Sequence, residues 1–238
     1  MLAFFCLAHE RGRLFFFMLT LGGMRPRSTM AKAKTAPRPF APHSTGAKPS
    51  GLGHAAHEIR IIGGVWKRSK LKVLDKPGLR PTPDRVRETL FNWLGQDLTG
   101  WLCVDAFAGT GVLGFEAASR GAKQVLMMEQ DAELVAQLTD SKIRLKATAV
   151  QVQRCDAVQG LQRAAVGSLD LVFLDPPFEG ELCAPALQAA AQAVAPGGWV
   201  YLEAPALWRD EQLLACYLTV ERHLKAGAVH AHLLKKRA

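Results

Sequence analysis

Asp175-Pro176-Pro177-Phe178 concentrates more potential chemistry than any other stretch of this chain. It follows the apolar run Leu169–Leu174, which reads as a buried strand, and so stands at that strand's carboxyl end. Functional groups of open α/β sheets collect at that edge. The two prolines fix φ and lack N–H donors, leaving carbonyls that only accept hydrogen bonds. An acid, an acceptor-only backbone and an aromatic ring together suit a flat base bearing an exocyclic NH₂. Asp175 and the Pro176 carbonyl would hold the amine protons while Phe178 stacks on the ring. A plain Pro-Pro turn is the other reading of the same residues, and the tetrapeptide alone does not choose between them.

A second constellation lies some seventy residues earlier. The strand-like Trp101-Leu102-Cys103-Val104-Asp105 runs through Ala106-Phe107-Ala108 into Gly109-Thr110-Gly111-Val112-Leu113-Gly114, with a helix-prone stretch beyond. Glycines at a strand-to-helix junction let the backbone turn tightly and approach a ligand. A second strand, Gln124–Met128, delivers Glu129 about twenty residues on, where a carboxylate can accept both hydroxyls of an adenosine ribose. A nicotinamide dinucleotide and S-adenosylmethionine both satisfy these features. Asp105 separates them, because an acid four residues ahead of Gly109 repels a pyrophosphate and attracts an ammonium group. Asp175-Pro176-Pro177-Phe178 points the same way, since hydride transfer has no use for it. The pair is similar to the motifs of S-adenosylmethionine-dependent amino-methyltransferases.

Further motifs narrow the resemblance. Arg60-Ile61-Ile62-Gly63-Gly64-Val65-Trp66-Lys67-Arg68-Ser69-Lys70-Leu71 lies upstream, followed by Leu79-Arg80-Pro81-Thr82-Pro83-Asp84-Arg85 and a helix-like run to Leu94. With Asp105–Gly111, Glu129-Gln130-Asp131 and Asp175–Phe178, these resemble the RsmD-type family of 16S ribosomal RNA guanine-N2 methyltransferases, from about Glu58 to near the carboxyl terminus. The resemblance implies a class I fold, S-adenosylmethionine as methyl donor, and small-subunit ribosomal RNA or the assembling small subunit as partner. It implies that the Arg80-Pro81-Thr82 segment closes over the donor and that Asp156 faces the adenine amino group. The expected cofactor set is then Thr82, Asp105, Phe107, Gly109, Thr110, Gly111, Glu129, Gln130, Asp156 and Ala157. Asp175, Pro176, Pro177 and Phe178 form the expected catalytic set, with no metal required.

The elements needed to position these groups are readable. Strands are predicted at 101–106, 124–129, 149–154, 169–174 and 198–203, with helices near 112–120, 131–145 and 183–194. That alternation indicates a mostly parallel, doubly wound Rossmann-like sheet. Pro196-Gly197-Gly198 reads as the turn ahead of the fifth strand, and two strands around Gly227 as an antiparallel end to the sheet. Ahead of them, Arg60-Ile61-Ile62 and Leu71–Leu74 suggest a small hairpin. Thr82 is expected to cap a helix with Pro83 at its first position, and Val86, Leu90, Trp93 and Leu94 to form its core face. The expected divisions are a leader and basic arm at 1–57, a cofactor-closing and RNA-binding module at 58–98, and a catalytic domain at 99–238.

Charge is segregated. Residues 1–58 hold eight Lys/Arg against two Asp/Glu, residues 59–100 nine against four, and the remainder thirteen against fifteen. A near-neutral catalytic part beside basic flanks is the footprint of a track for phosphates. Arg60, Lys67, Arg68, Lys70 and Arg80 are the expected RNA contacts, a solvated hairpin face being the plainer reading. The apolar run from Leu14 to Met24 is too short for a bilayer span. Residues 1–29 read as a translated upstream segment with Met30 (or Met24) as working start, and 30–57 as a disordered basic arm. Five scattered cysteines without Cys-x-x-Cys fit a reducing, cytoplasmic setting, and a monomer is expected. His54, His57, His230 and His232 read as surface residues. An adenine-N6 or cytosine-N4 methyltransferase, and a non-catalytic RNA-binding assembly protein, stand as alternatives.

Overall fold

The computed structural model describes residues 58–237 apart from Arg80, Glu179 and Gly180. The leader, the basic arm and Arg80 therefore lie outside the described residues. Two short strands, β1 (Glu58–Arg60) and β2 (Lys70–Lys72), pair antiparallel as the predicted hairpin, with Ile59 opposite Leu71. Helix α1 (Asp84–Leu94) follows. The main sheet then alternates with helices: β3 (Leu102–Asp105), α2 (Val112–Ser119), β4 (Gln124–Glu129), α3 (Ala132–Leu145), β5 (Val150–Arg154), α4 (Ala157–Gln162), β6 (Leu169–Leu174), α5 (Cys183–Ala193) and β7 (Val194–Ala204). A short helix α6 (Asp210–Leu213) leads to β8 (Leu218–Ala226) and β9 (Val229–Lys236).

The seven strands stand in the order β5-β4-β3-β6-β7-β9-β8, with β3 to β7 parallel and β9 antiparallel to both β7 and β8. The order reverses at β3, which pairs with β4 on one side and β6 on the other. A crevice at the carboxyl ends of the strands opens at such a switch point. Near-continuous apolar strands such as Leu171–Leu174, fully buried here, are what a sheet covered on both faces demands.

Two predicted features fall differently. Pro196-Gly197-Gly198 is not a turn before β7 but a bulge within it: Leu169 pairs with Val194, and the next pair is Leu171 with Trp199. Pro196 has no N–H for the ladder and Gly197 adopts φ +76°, so the three residues loop out and pairing resumes beyond them. Thr82 does not cap α1. Pro83 occupies the cap position without a side-chain bond, and the Thr82 hydroxyl is taken by Glu203 instead. The apolar face of α1 forms as expected, with Val86, Leu90, Phe91 and Leu94 buried and Trp93 partly so. Phe91 meets Phe173, and Phe173 meets Tyr201, at ring-centroid distances of 6.2 and 6.3 Å.

A buried charge cluster ties the residues before β3 to α2. Glu116 and Arg87 are both fully inaccessible, 2.6 Å apart, and Arg120 pairs with the other Glu116 oxygen. Glu116 also accepts the N–H of Ile62 at 2.7 Å and of Gly63 at 3.3 Å, while Arg87 donates to the carbonyls of Arg60 and Thr82. Arg120 lies 4.0 Å from the Phe91 ring centre. One carboxylate thus organises two guanidinium groups and the hairpin backbone. Removing one partner of such a set leaves an uncompensated buried charge, which costs about 3–5 kcal/mol. Glu116→Ala is expected to lose stability of that size in urea unfolding; a loss below about 1 kcal/mol, the range of an exposed pair, would contradict the assignment.

Candidate active site

Every parallel strand delivers an acid to the carboxyl edge of the sheet. β3 ends in Asp105, β4 in Glu129 and β7 presents Glu203, while Asp175 follows β6 directly and Asp156 comes two residues after β5. Asp105 is 2 % exposed, and its Oδ2 accepts the Gly114 N–H at 2.9 Å. A β-carbon at Gly114 would stand 2.6 Å from Met127 and 3.1 Å from Asp105, so a side chain there would push Met127 aside and crowd Asp105. Gly111 holds φ +76°, and a side chain there would run into Leu138. Thr110 is buried and Phe107 half-buried in the same turn.

Glu129 closes the turn from the β4 side. It accepts the N–H of Gly109 at 2.9 Å on one oxygen, and those of Gln130 and Asp131 at 2.8 and 2.9 Å on the other. Roughly one of a carboxylate's four acceptor positions is then left. It could accept one hydroxyl, and a second would have to displace the Gly109 amide. Gln130 reaches Asp156 at 3.2 Å, and Asp156 caps α4 through the Gln159 N–H, with Ala157 buried behind it. The turn, Glu129, Gln130 and Asp156 therefore share one rim.

Asp175 is half-buried, Pro176 buried, and Pro177 and Phe178 exposed, Phe178 at 42 %. Desolvation, with the negative charges of Glu203 and Asp105, pushes Asp175 well above the usual carboxylate range. Burial raises Asp105 to about 7, against the Gly114 hydrogen bond and with help from Glu129. Glu203 is raised by burial too, the hydroxyls of Tyr201 and Thr82 opposing it. Three carboxylates in one poorly solvated recess are a seat for a cation.

Sequence reasoning missed Glu203 and Leu79. Glu203 accepts the Thr82 hydroxyl at 2.9 Å and the Tyr201 hydroxyl at 2.8 Å on a single oxygen. Its signal was available: it is an acid in the otherwise apolar β7, two residues from Tyr201 on the same face. Leu79 packs within 3.1 Å of where a Gly109 side chain would begin, which puts that part of the β2–α1 connecting segment against the glycine turn. A cavity of about 380 Å³ lies along that segment, bordered by Ile59, Val73, Leu74, Leu79 and Thr82, with none of the sheet-edge acids in its wall. Away from this edge, Arg60, Lys67, Arg68 and Lys70 are exposed on the hairpin, Lys70 in an ion pair with Glu58.

One histidine departs from expectation, while His230 is half-buried and His54 and His57 lie outside the described residues. His232 is fully buried rather than on the surface, its Nδ1 3.3 Å from the Leu202 carbonyl and its Nε2 accepting the Trp208 N–H at 3.1 Å. Burial lowers its pKa to about 4, so the neutral ring braces the 205–209 segment. His223 and His230 join it on one face of the β8–β9 hairpin, all three offering ligand atoms within 4.8 Å of one another. A metal ion there would have to displace a backbone contact of His232. Among the described residues, no helix is long and apolar enough to cross a membrane.

Comparison with known proteins agrees with this geometry. Ribosomal RNA small subunit methyltransferase D of Escherichia coli K12 is 43% identical over 147 residues, covering 62% of this chain and 72% of that protein. The Haemophilus influenzae protein of the same name is 41% identical over 157 residues, covering 63% and 80%. The solved structure of Escherichia coli yhhF superimposes with a TM-score of 0.66 at 34% identity, over 76% of this chain and 99% of that one. The fold is that of a class I methyltransferase. Within that class the chain belongs to the family described as Conserved hypothetical protein 95, whose model matches residues 59–235.

The acid-lined recess has a measurable cost. An unfolded Asp titrates near 3.8, whereas Asp105 in the fold titrates near 7. Between those values the folded state binds the extra proton, so stability falls as pH rises through that window. Asp105→Asn keeps an oxygen for Gly114 and abolishes the titration. It should gain on the wild type by up to roughly 4 kcal/mol between pH 4 and pH 8 in urea unfolding. A difference that does not change with pH would contradict the burial argument.

Proposed function

We propose that this protein transfers a methyl group from S-adenosylmethionine to the exocyclic N2 of a guanine in small-subunit ribosomal RNA. The observation that carries this reading is the convergence of Asp105, Glu129, Asp156 and Asp175-Pro176-Pro177-Phe178 on one sheet edge, in a chain whose family relatives bear the name ribosomal RNA small subunit methyltransferase D. The residues fit the donor: Asp105 suits its ammonium group, Glu129 its ribose hydroxyls and Asp156 its adenine amine. The Gly109–Gly114 turn leaves room for close backbone approach. When bound, the donor supplies an electrophilic methyl on a sulfonium with a good leaving group.

The chain's own part is alignment. A guanine amino group is a weak nucleophile because its lone pair is delocalised into the ring. Asp175 and the Pro176 carbonyl, accepting hydrogen bonds from its two N–H groups, would favour a pyramidal nitrogen with the lone pair directed inward. The proton shed as the N–C bond forms and the S–C bond breaks would pass to Asp175 or to water. Phe178, which is exposed, would stack on a base drawn out of its helix or loop. Orientation of this kind supplies most of the acceleration such a transfer needs.

Two experiments test the reading. Purified protein, labelled S-adenosylmethionine and small subunits from cells lacking the activity should yield N2-methylguanosine on nucleoside mass analysis. Asp175→Ala should lower the rate by about 10²–10³ while keeping donor affinity. N6-methyladenosine, N4-methylcytidine or no incorporation would contradict the assignment. Reversing charge at Lys67, Arg68 and Lys70 should raise KM for RNA and flatten its salt dependence, with donor binding unchanged. Unaltered RNA kinetics in that variant would reduce the basic hairpin to a solvated face.

A further inference from the structure

The segment between β2 and α1 crosses the carboxyl edge of the sheet and is fastened on both sides of it. On the β4 side, the Lys76 ammonium lies 2.6 Å from Asp131 and 2.9 Å from Glu133 at the start of α3, and Gln137 donates to the Lys72 carbonyl. In the middle, Leu79 lies against Gly109. On the β7 side, the Thr82 hydroxyl donates to Glu203, which is 4 % exposed, as is Thr82 itself. The Lys76 anchor is a partly solvated ion pair, a kind worth little on its own. The Glu203 anchor is buried and charge-assisted, and such bonds are the stronger kind.

We propose that Glu203 is a positioning residue of the transfer site: its buried carboxylate fastens the strap over the glycine turn to β7, beside Asp175. The strap is then held by the same buried acid whose charge acts on Asp175. This proposal rests on the methyl-transfer reading above and deepens it. Tyr201, whose hydroxyl shares the same Glu203 oxygen, fixes the carboxylate's rotamer and rests on the Phe173 ring, so the anchor is built into the core. A Thr hydroxyl that forgoes capping its own helix for a residue far along the chain marks the contact as tertiary in purpose.

Glu203 also faces Asp175 electrostatically. The groups around Asp175 are Asp105 from β3, Tyr201 and Glu203 from β7, and Cys183 at the start of α5. Removing the charge of Glu203 while keeping its acceptor oxygen should therefore let Asp175 ionise at lower pH.

The test uses the full chain with Thr82→Val, Thr82→Ser and Glu203→Gln. Calorimetry should show S-adenosylmethionine bound on the order of 10-fold more weakly by Thr82→Val, with Thr82→Ser within about twofold of wild type. Hydrogen exchange without any ligand should be faster across residues 76–84 in Thr82→Val alone. In Glu203→Gln the acid limb of kcat should move to lower pH. Wild-type donor affinity and wild-type exchange in Thr82→Val would overturn the proposal, as would an unmoved acid limb in Glu203→Gln. If the wild type binds no S-adenosylmethionine, the methyl-transfer reading falls; if it binds and Thr82→Val binds equally well, the anchor alone falls.

Discussion

Carboxylates brought together at one edge of a sheet repel one another and resist losing water, and the architecture of this protein is arranged around that constraint. Asp105, Asp175 and Glu203 share a recess in which burial raises each of them. The strands that present them are otherwise mostly apolar, Asp170 near the start of β6 being an exception. What offsets them is a set of backbone and hydroxyl donors: the Gly114 amide on Asp105, and Thr82 and Tyr201 on Glu203. These relieve only part of the cost. Acids held back from ionising in this way gain most from a ligand that carries positive charge and so favours their charged form, as a sulfonium with an ammonium group does.

The same logic runs in reverse on the other side of α2. There Glu116 is the scarce anion between Arg87 and Arg120, and two backbone amides complete its shell. That cluster sets where the β1–β2 hairpin and α1 sit against the sheet. Arg87 also bonds the Thr82 carbonyl, while the Thr82 side chain reaches Glu203. The hub beneath the hairpin and the acid-lined edge therefore communicate through one threonine. A basic face on the hairpin is held at a fixed place relative to the acid-lined edge.

Much of this was legible in the chain. The parallel alternation, the glycine turn, Glu129 and the Asp-Pro-Pro-Phe edge each follow from local pattern, because strand ends and tight turns are written in short runs of sequence. What the pattern could not reveal were contacts between distant segments. Thr82 looked like a helix cap because its neighbours suit one, yet a partner 121 residues away claims its hydroxyl. His232 looked exposed because its strand alternates with polar residues, yet two backbone groups satisfy its ring inside the fold. The bulge in β7 was mistaken for a turn because Pro196 and Gly197 signal both equally well.

The account depends most on the recess being built for a cation, and donor binding as a function of pH reads that directly. With Asp105 titrating near 7, S-adenosylmethionine should bind more tightly as pH rises from 5.5 to 8, since its cationic groups favour the ionised acids. Calorimetry in buffers of different ionisation enthalpy should show protons released on binding at pH 6.5. Affinity independent of pH, with no proton release, would contradict the account.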